Sequence, residues 1–417
     1  MLPFSIKVDS APANLAWATS IQVIEKLAGY AVIAVLTRTL LPQEMGKMFF
    51  AATVAGIAAT AVAFGSEHHL IRAVAAQPHR ALENLAEVLS LRLQNLAIVY
   101  VAANLLFWLL DPALAPVLLL SSAYAFVEEL FNAFSAFFTG QKRLIYRLVI
   151  TSALKILTVG AVSLVAYLTR ALQPILLTYL VLDLLLVAVT YLVVRRDFGP
   201  VHLSLNWRRS LGLMRASLPF FLFNILTIVH LRLGTLMVGF LLSLVQVAFY
   251  DLGLKLLEVA RFAIRPVYSV SYPILSGMAA KHRVQKLRVR SLQLVAGAFA
   301  VGILITLGME LLGSRAIVLL FGAAYAESVT PARILFLSMP FVYVHFVLTM
   351  LANALHMEKH SALLLALSVA LNLGLNIYVI PRYGIIGAAW TTLASQGLLT
   401  VALLWVTAAR LFSPEPV

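Results

Sequence analysis

Residues 175–194 read ILLTYLVLDLLLVAVTYLVV, and Arg195 and Arg196 follow at once. Twenty residues at 1.5 Å each make a helix of about 30 Å, the thickness of a bilayer's hydrocarbon core. The arginine pair marks the cytoplasmic end by the positive-inside rule. One acid, Asp183, stands in the middle of the stretch. A charge at mid-bilayer costs about 2.5–3.5 kcal/mol even on the lenient insertion scale, so Asp183 must face a bundle interior or a wet cavity. A membrane span that carries a buried carboxylate is the first clue to both fold and function.

Working outward, eleven further stretches have the length and apolarity of spans. They lie near 13–36, 47–66, 89–110, 115–139, 148–168, 217–241, 249–275, 292–311, 333–354, 361–380 and 386–409. The turns between many of them are short, as at Leu41-Pro42-Gln43, Asp111-Pro112, Gln173-Pro174 and Pro381-Arg382-Tyr383-Gly384, so successive helices run antiparallel. Composition agrees. Of 417 residues, 62% are hydrophobic and 12% charged, against about 45–50% and ~25% in a soluble domain. Soluble enzymes, disordered chains and nucleic-acid-binding domains are excluded on that ground. The first long apolar stretch follows no basic leader and reads as a retained span. With no cysteine, disulfides, thiolate metal sites and cysteine nucleophiles are excluded.

The net charge of +14, from 31 Lys+Arg and 17 Asp+Glu, sorts by loop. Nineteen cations fall on one set of connections, among them Lys7, Arg72, Arg92, Arg147, Arg195, Arg196, Arg410 and the run from Lys281 to Arg290. Six fall on the other: Arg38, Lys47, Arg170, Arg315, Arg333 and Arg382. The larger set is expected in the cytoplasm, and twelve spans then put both termini there. The basic run 281–290 reads as a topology determinant on lipid headgroups, with no nucleic-acid partner.

The longest cytoplasmic connection, about 195–216, divides the chain nearly in half. Two six-helix lobes around a central cavity are expected, residues 1–200 and 201–417, related by an internal repeat. Six cations remain inside spans: Lys26, Lys155, Arg232, Lys255, Arg261 and Arg265. Six acids share their depth: Glu25, Glu128, Glu129, Asp183, Asp251 and Glu258. The first half is richer in acids and the second in cations. Asp251, Lys255, Glu258, Arg261 and Arg265 step by three or four residues and are expected on one helical stripe. This stripe reads either as a self-neutralising ladder or as the polar wall of a cavity. Lys26, Arg232, Lys255, Arg261 and Arg265 are the candidate binders of an anionic group such as a diphosphate. Glu128, Asp183, Asp251 and Glu258 are candidates for coupling to a proton or metal cation. His356 and His360 flank a solvated turn, and Glu67-His68-His69 an interfacial one, so no metal site is expected. There is no P-loop and no large exterior loop, so no catalytic residue, cofactor or enzymatic activity is expected.

Four segments carry a family resemblance. AIVLLFGAAYAESVTPARILFLSMPF at 316–341 presents Phe321-Gly322, Tyr325-Ala326 and Arg333-Ile334-Leu335. LNLGLNIYVIPRYGIIGAAWTTLASQ at 371–396 presents Asn372 and Asn376, then Ile380-Pro381-x-Tyr383-Gly384. LTRTLLPQEMGKMFF at 36–50 and LMVGFLLSLVQVAFYDLGLKLLEV at 236–259 are more divergent counterparts. Together they resemble polysaccharide flippases of the Wzx type, in the multidrug/oligosaccharidyl-lipid/polysaccharide exporter superfamily. The resemblance implies a two-lobed bundle of twelve helices that moves a polyprenyl-diphosphate-linked oligosaccharide across the cytoplasmic membrane by alternating access. The lipid-linked glycan, membrane lipids and polysaccharide polymerase or assembly proteins would be its partners. No lining residue carries over by motif. A cation-coupled drug or metabolite exporter and a non-transporting scaffold of an assembly complex are the alternatives.

Overall fold

The computed structural model describes residues 11–281 and 283–412; the side chains at 11–15, 107, 110, 265, 266 and 269 lie outside that description. Every regular element among the described residues is helical. In order they are α1 (Ala11–Thr39), α2 (Pro42–Ala63), α3 (Ser66–Ala76), α4 (Ala81–Leu110), α5 (Ala115–Gly140), α6 (Leu144–Thr169), α7 (Leu172–Asp197), α8 (Trp207–Leu241), α9 (Leu244–Phe262), α10 (Arg265–Ala280), α11 (Val284–Phe321), α12 (Val329–Phe336), α13 (Met339–Ala354) and α14 (Glu358–Phe412). Nine helices among the described residues are long and apolar enough to cross a membrane. A further candidate is the pair Ala323–Phe336 and Met339–Ala354, bent by 45°.

Local chemistry explains the breaks. Pro42 opens α2 after the extended Leu41, where a missing N–H costs nothing. The α2–α3 elbow is built on Phe64 and Gly65, both at positive φ. A Cβ on Gly65 would lie 2.6 Å from the Phe221 backbone nitrogen, so the glycine is required by close approach as well as by φ. Asn206 caps α8, its carboxamide oxygen accepting from Arg208 N at 3.1 Å. Ser243 caps α9 by accepting from Gln246 N at 3.4 Å. These are the helix-start devices that satisfy orphan N–H groups.

The expected continuous helix at 249–275 is interrupted. α9 ends at Phe262 and α10 begins at Arg265, with Pro266 in its first turn. Proline removes a donor and disfavours helix in the residue before it. The five-charge stripe is therefore not carried by one helix: Arg265 begins the next, and its side chain lies outside the described residues.

α14 is also two helices. Gly384 breaks it at φ 59°, ψ −147°, a region open to glycine alone. The two segments fold back on each other. Asn372 Nδ2 donates to Ser395 Oγ at 2.7 Å and to the Thr391 carbonyl at 3.3 Å. Asn376 Nδ2 donates to Asn372 Oδ1 at 2.7 Å, and the Thr391 hydroxyl donates to Asn376 Oδ1. The three pairs that join the two segments, 372 with 395, 372 with 391 and 376 with 391, are centred near Gly384, as an antiparallel helical hairpin requires.

Two compact units divide the chain, Met1–Ile228 and Val229–Val417. In the first, α1 packs on α6, α2 on α4 and α5, and α5 on α7. A core of Leu70, Val74, Leu85, Leu89, Phe134, Phe137, Phe138 and Val194 closes one end. In the second, α11 packs on α13, and α13 on α14. A Cβ on Gly302 would meet Pro340 Cα at 2.5 Å. The α12–α13 bend exposes the Phe336 carbonyl, which accepts from Thr306 Oγ1 at 2.7 Å.

Candidate functional site

Four helices of the first unit bring ionisable groups to mid-span. Lys26 lies near the middle of α1, Glu128 of α5, Lys155 of α6 and Asp183 of α7. A chamber of about 220 Å³ opens among them, lined by Glu25, Lys26, Glu128, Phe131, Asn132, Arg147, Lys155 and Leu186. Helical periodicity assembles the lining. Glu128 and Asn132 are one turn apart on α5, and Arg147 and Lys155 about two turns apart on α6. Arg147 Nη2 reaches Glu25 Oε1 at 3.3 Å. Asp183 is buried and lies within electrostatic range of both Glu128 and Lys155. Two tyrosine rings, Tyr124 and Tyr179, stack at a tilt beside these acids, 5.7 Å between centroids.

Glu129 points elsewhere. It meets Arg92, whose side chain is fully buried, at 3.2 Å from Nη1 to Oε2. Arg92 Nη1 also donates to the Glu129 carbonyl, and its Nε donates to Ser66 Oγ at 3.2 Å. Asn132 Nδ2 donates to the other Glu129 oxygen at 3.2 Å. One guanidinium thus ties α3, α4 and α5 together. Counting Arg92 as a solvated loop cation is corrected by this burial. Its position one helical turn beyond Val88 in α4, and the polar partner on α5, hold it inside.

The second unit joins its charges pairwise. Arg232 Nη2 lies 2.9 Å from Glu258 Oε1, and Arg232 Nη1 lies 3.7 Å from Asp251 Oδ1. Lys255 Nζ stands 3.8 Å from Asp251 and 4.0 Å from Glu258. Thr235 donates to Asp251 at 2.7 Å. These two cations and two acids balance, with Asp251 almost wholly buried. The ladder reading fits three of the stripe's five residues, Asp251, Lys255 and Glu258, completed by Arg232 from α8. Arg261 faces another way. It lines a small pocket of about 20 Å³ with His230, Gly234, Tyr250, Asn372, Thr392, Ser395 and Gln396.

Of the residues singled out in the sequence, the structure gathers Lys26, Glu128 and Asp183 in one unit. It gathers Arg232, Lys255, Asp251 and Glu258 in the other. Sequence reasoning missed Arg147 and Asn132. Arg147 stands in the first turn of α6, just past Lys142 and Arg143, so it reads as part of a loop charge run. Its spacing from Lys155 is the signal that could have found it. The first-unit chamber holds three cations against two acids, so the acid excess of that half does not carry over to its lining. Glu129 and Arg92 neutralise each other away from it.

Residues 12–279 match the family described as polysaccharide biosynthesis protein. The chain belongs to that family. No curated protein matches the sequence. Among solved structures, the fold is similar to the inward-facing conformation of a multidrug resistance MATE family transporter of the MOP superfamily. The TM-score is 0.70 and the identity 14%, over 93% of this chain and 94% of that one. Lipid II flippase MurJ in an inward closed conformation matches with a TM-score of 0.72 at 12% identity, over 94% and 87%. A MOP superfamily transporter from Pyrococcus furiosus, whose reversed binding-pocket polarity suggests a different function, matches at 0.55 and 14%, over 95% and 93%. At these identities the likeness establishes the fold. The motif resemblance to Wzx-type flippases agrees with the family, and the apolar helices make the family member a multi-pass membrane protein.

Proposed function

We propose that the chain flips a polyprenyl-diphosphate-linked oligosaccharide across the cytoplasmic membrane by alternating access. The observation that carries this reading is the first-unit chamber: a polar space presenting Lys26 and Lys155 at mid-span and Arg147 from the first turn of α6. Groups so placed face water or cargo, because exposure to lipid would cost several kcal/mol each. Lys and Arg suit phosphate oxygens, with Arg able to bind two at once. At about 220 Å³ the chamber is smaller than the ~300–1,000 Å³ of drug-sized pockets. It suits a diphosphate head, while the glycan stays in water and the prenyl tail in lipid. Membership of a polysaccharide biosynthesis family supports the cargo class. The fold's occurrence in transporters described in an inward-facing and an inward closed conformation supports the motion.

In this reading α9 and α10 cross as one bent span and α14 crosses twice about Gly384, making twelve crossings in two lobes with both termini in the cytoplasm. Arg232 and Lys255 act by holding Asp251 and Glu258, and Lys26 keeps its role as a diphosphate ligand beside Arg147 and Lys155. Driving force can come from the membrane potential, worth ~2.3 kcal/mol per charge per 100 mV, or from a cation taken up at Glu128 and Asp183.

Deletion in the host followed by lipid extraction tests the reading. The expected result is a lipid-linked oligosaccharide accumulating on the cytoplasmic leaflet. Complementation with Arg147→Gln/Lys155→Gln, present at normal level in the membrane, should not clear it. Normal export by that double variant would overturn the assignment of the chamber.

A cation-coupled exporter of the same superfamily is the second reading. The buried Asp183 beside Glu128 and two tyrosines favours it, since such a group suits a small organic cation. Efflux of cationic dyes from vesicles, lost in Asp183→Asn, would support it over flipping.

A further inference from the structure

The Arg261 pocket has a property that the proposed transport reaction does not use. Its lining includes no carboxylate. Arg261 Nε and His230 Nδ1 are buried there without hydrogen-bond partners among the described residues. His345 stands close enough to feel both groups, and its Nδ1 is likewise without a partner. The neighbouring acids are already engaged. Asp251 and Glu258 each face Arg232 and Lys255, and Glu258 is the acid within electrostatic range of Arg261. Two cations and two acids balance, so Arg261 leaves the described cluster with one positive charge in excess. A guanidinium does not give up its proton in a protein. A buried charge without a counterion is costly, and an uncharged water does not remove the excess.

We infer that this pocket binds a single halide-sized anion as the counterion of Arg261. About 20 Å³ holds one water-sized sphere, which admits a chloride or bromide and is too small for a phosphate group. The hydroxyls of Thr392 and Ser395 and the amides of Asn372 and Gln396 complete a wall of polar groups. Tyr250 closes one side. Its ring packs directly over Gly234, where a Cβ would collide with the phenol oxygen, and it hydrogen-bonds Thr392 Oγ1 at 3.0 Å. The site belongs to α8, α9 and α14 and lies wholly within the second unit.

The test uses full-length protein purified in detergent with gluconate as the anion. Chloride or bromide then replaces gluconate at constant ionic strength. Two measurements run together: equilibrium binding of radiolabelled chloride, and the unfolding midpoint from intrinsic fluorescence. The expected result is one saturable chloride per chain and a saturable rise of a few degrees in the midpoint. Arg261→Gln should abolish both, because it removes the excess charge. Arg170→Gln, an exposed cation of the first unit, should preserve both. Inorganic diphosphate at equal concentration should not displace the chloride. Absence of saturable chloride binding to wild-type protein would overturn the inference, and that measurement stands even where Arg261→Gln fails to fold. Undiminished binding in Arg261→Gln would overturn the role of that residue. Displacement by diphosphate would overturn the single-atom assignment.

Discussion

Replacing Arg92 by methionine removes a guanidinium and keeps most of its length. In the native protein that side chain is fully buried, 3.2 Å from the Glu129 carboxylate and 3.2 Å from Ser66 Oγ. After Arg92→Met, Glu129 keeps the amide of Asn132 at 3.2 Å and loses its cation. Removing one member of a buried pair costs about 3–5 kcal/mol, because the other charge is left uncompensated. At ~2–4 °C per kcal/mol for a unit of this size, the unfolding midpoint in detergent should fall by about 6–20 °C. Glu129→Gln should cost a similar amount by stranding Arg92. Replacing both should recover most of the loss, since a buried pair exchanged for neutral groups is often close to neutral overall. Intrinsic fluorescence during heating, read as a double-mutant cycle, measures the coupling. Single variants within ~1 kcal/mol of wild type, or a double variant whose loss equals the two singles combined, would refute the view that this pair locks α3, α4 and α5.

Asn376→Ala strips the Thr391 hydroxyl and the Asn372 Oδ1 of a partner inside the α14 hairpin. The Thr391 bond is the one of these two that crosses the hairpin. At ~0.6 and at most ~1.7 kcal/mol per interhelical polar contact in membranes, a loss of about 1 kcal/mol is expected in the same thermal assay, with no effect if the hairpin is held by apolar packing alone. Gly384→Ala forces a Cβ into a glycine-only conformation and should cost of the order of 1–3 kcal/mol, measured as reduced yield and midpoint. Because the chain has no cysteine, single-cysteine reporters are direct. Lys281→Cys should label from the cytoplasmic face and Arg382→Cys from the opposite one; labelling of both from one face would contradict twelve crossings.

Much of the architecture is legible in the sequence because lipid imposes one rule on every span. Runs such as 175–194 and 292–311 have no other stable state. The exceptions arise where charge and proline interrupt the pattern. The stretch 249–275 is apolar enough to pass as one helix, yet Pro266 breaks it, and the periodic stripe that includes Arg265 dissolves at the break. At the candidate site, depth is readable: Lys26, Glu128, Lys155 and Asp183 stand mid-span in sequence and in structure. Pairing is not. Glu128 and Glu129 are adjacent and chemically alike, yet a helix turns them about 100° apart, one to the chamber and one to Arg92. Arg92 and Arg147 lie near span ends, where hydropathy cannot distinguish a solvated cation from a buried one. That depends on which polar partner the neighbouring helix offers.

This pairing bears on how cargo and coupling ion would communicate. Lys155 lines the chamber proposed for the diphosphate, and it also lies within electrostatic range of Asp183, as does Glu128. One ammonium thus serves two claimants. A diphosphate that draws Lys155 toward itself leaves the two acids uncompensated, and these then favour a cation. The reverse holds as well, since a cation at the acids frees Lys155 for phosphate. Linkage requires the two effects to be equal in free energy. The expected outcome is that inorganic diphosphate binds wild-type protein more tightly in the presence of the coupling cation. In Lys155→Gln the binding should be weaker, supported by Lys26 and Arg147, and should lose its dependence on that cation. Calorimetric titration across a series of protons and alkali cations measures both. Cation dependence that survives in Lys155→Gln would refute the shared-lysine mechanism while leaving the chamber itself in place, because the chamber stands on three cations and the coupling on one.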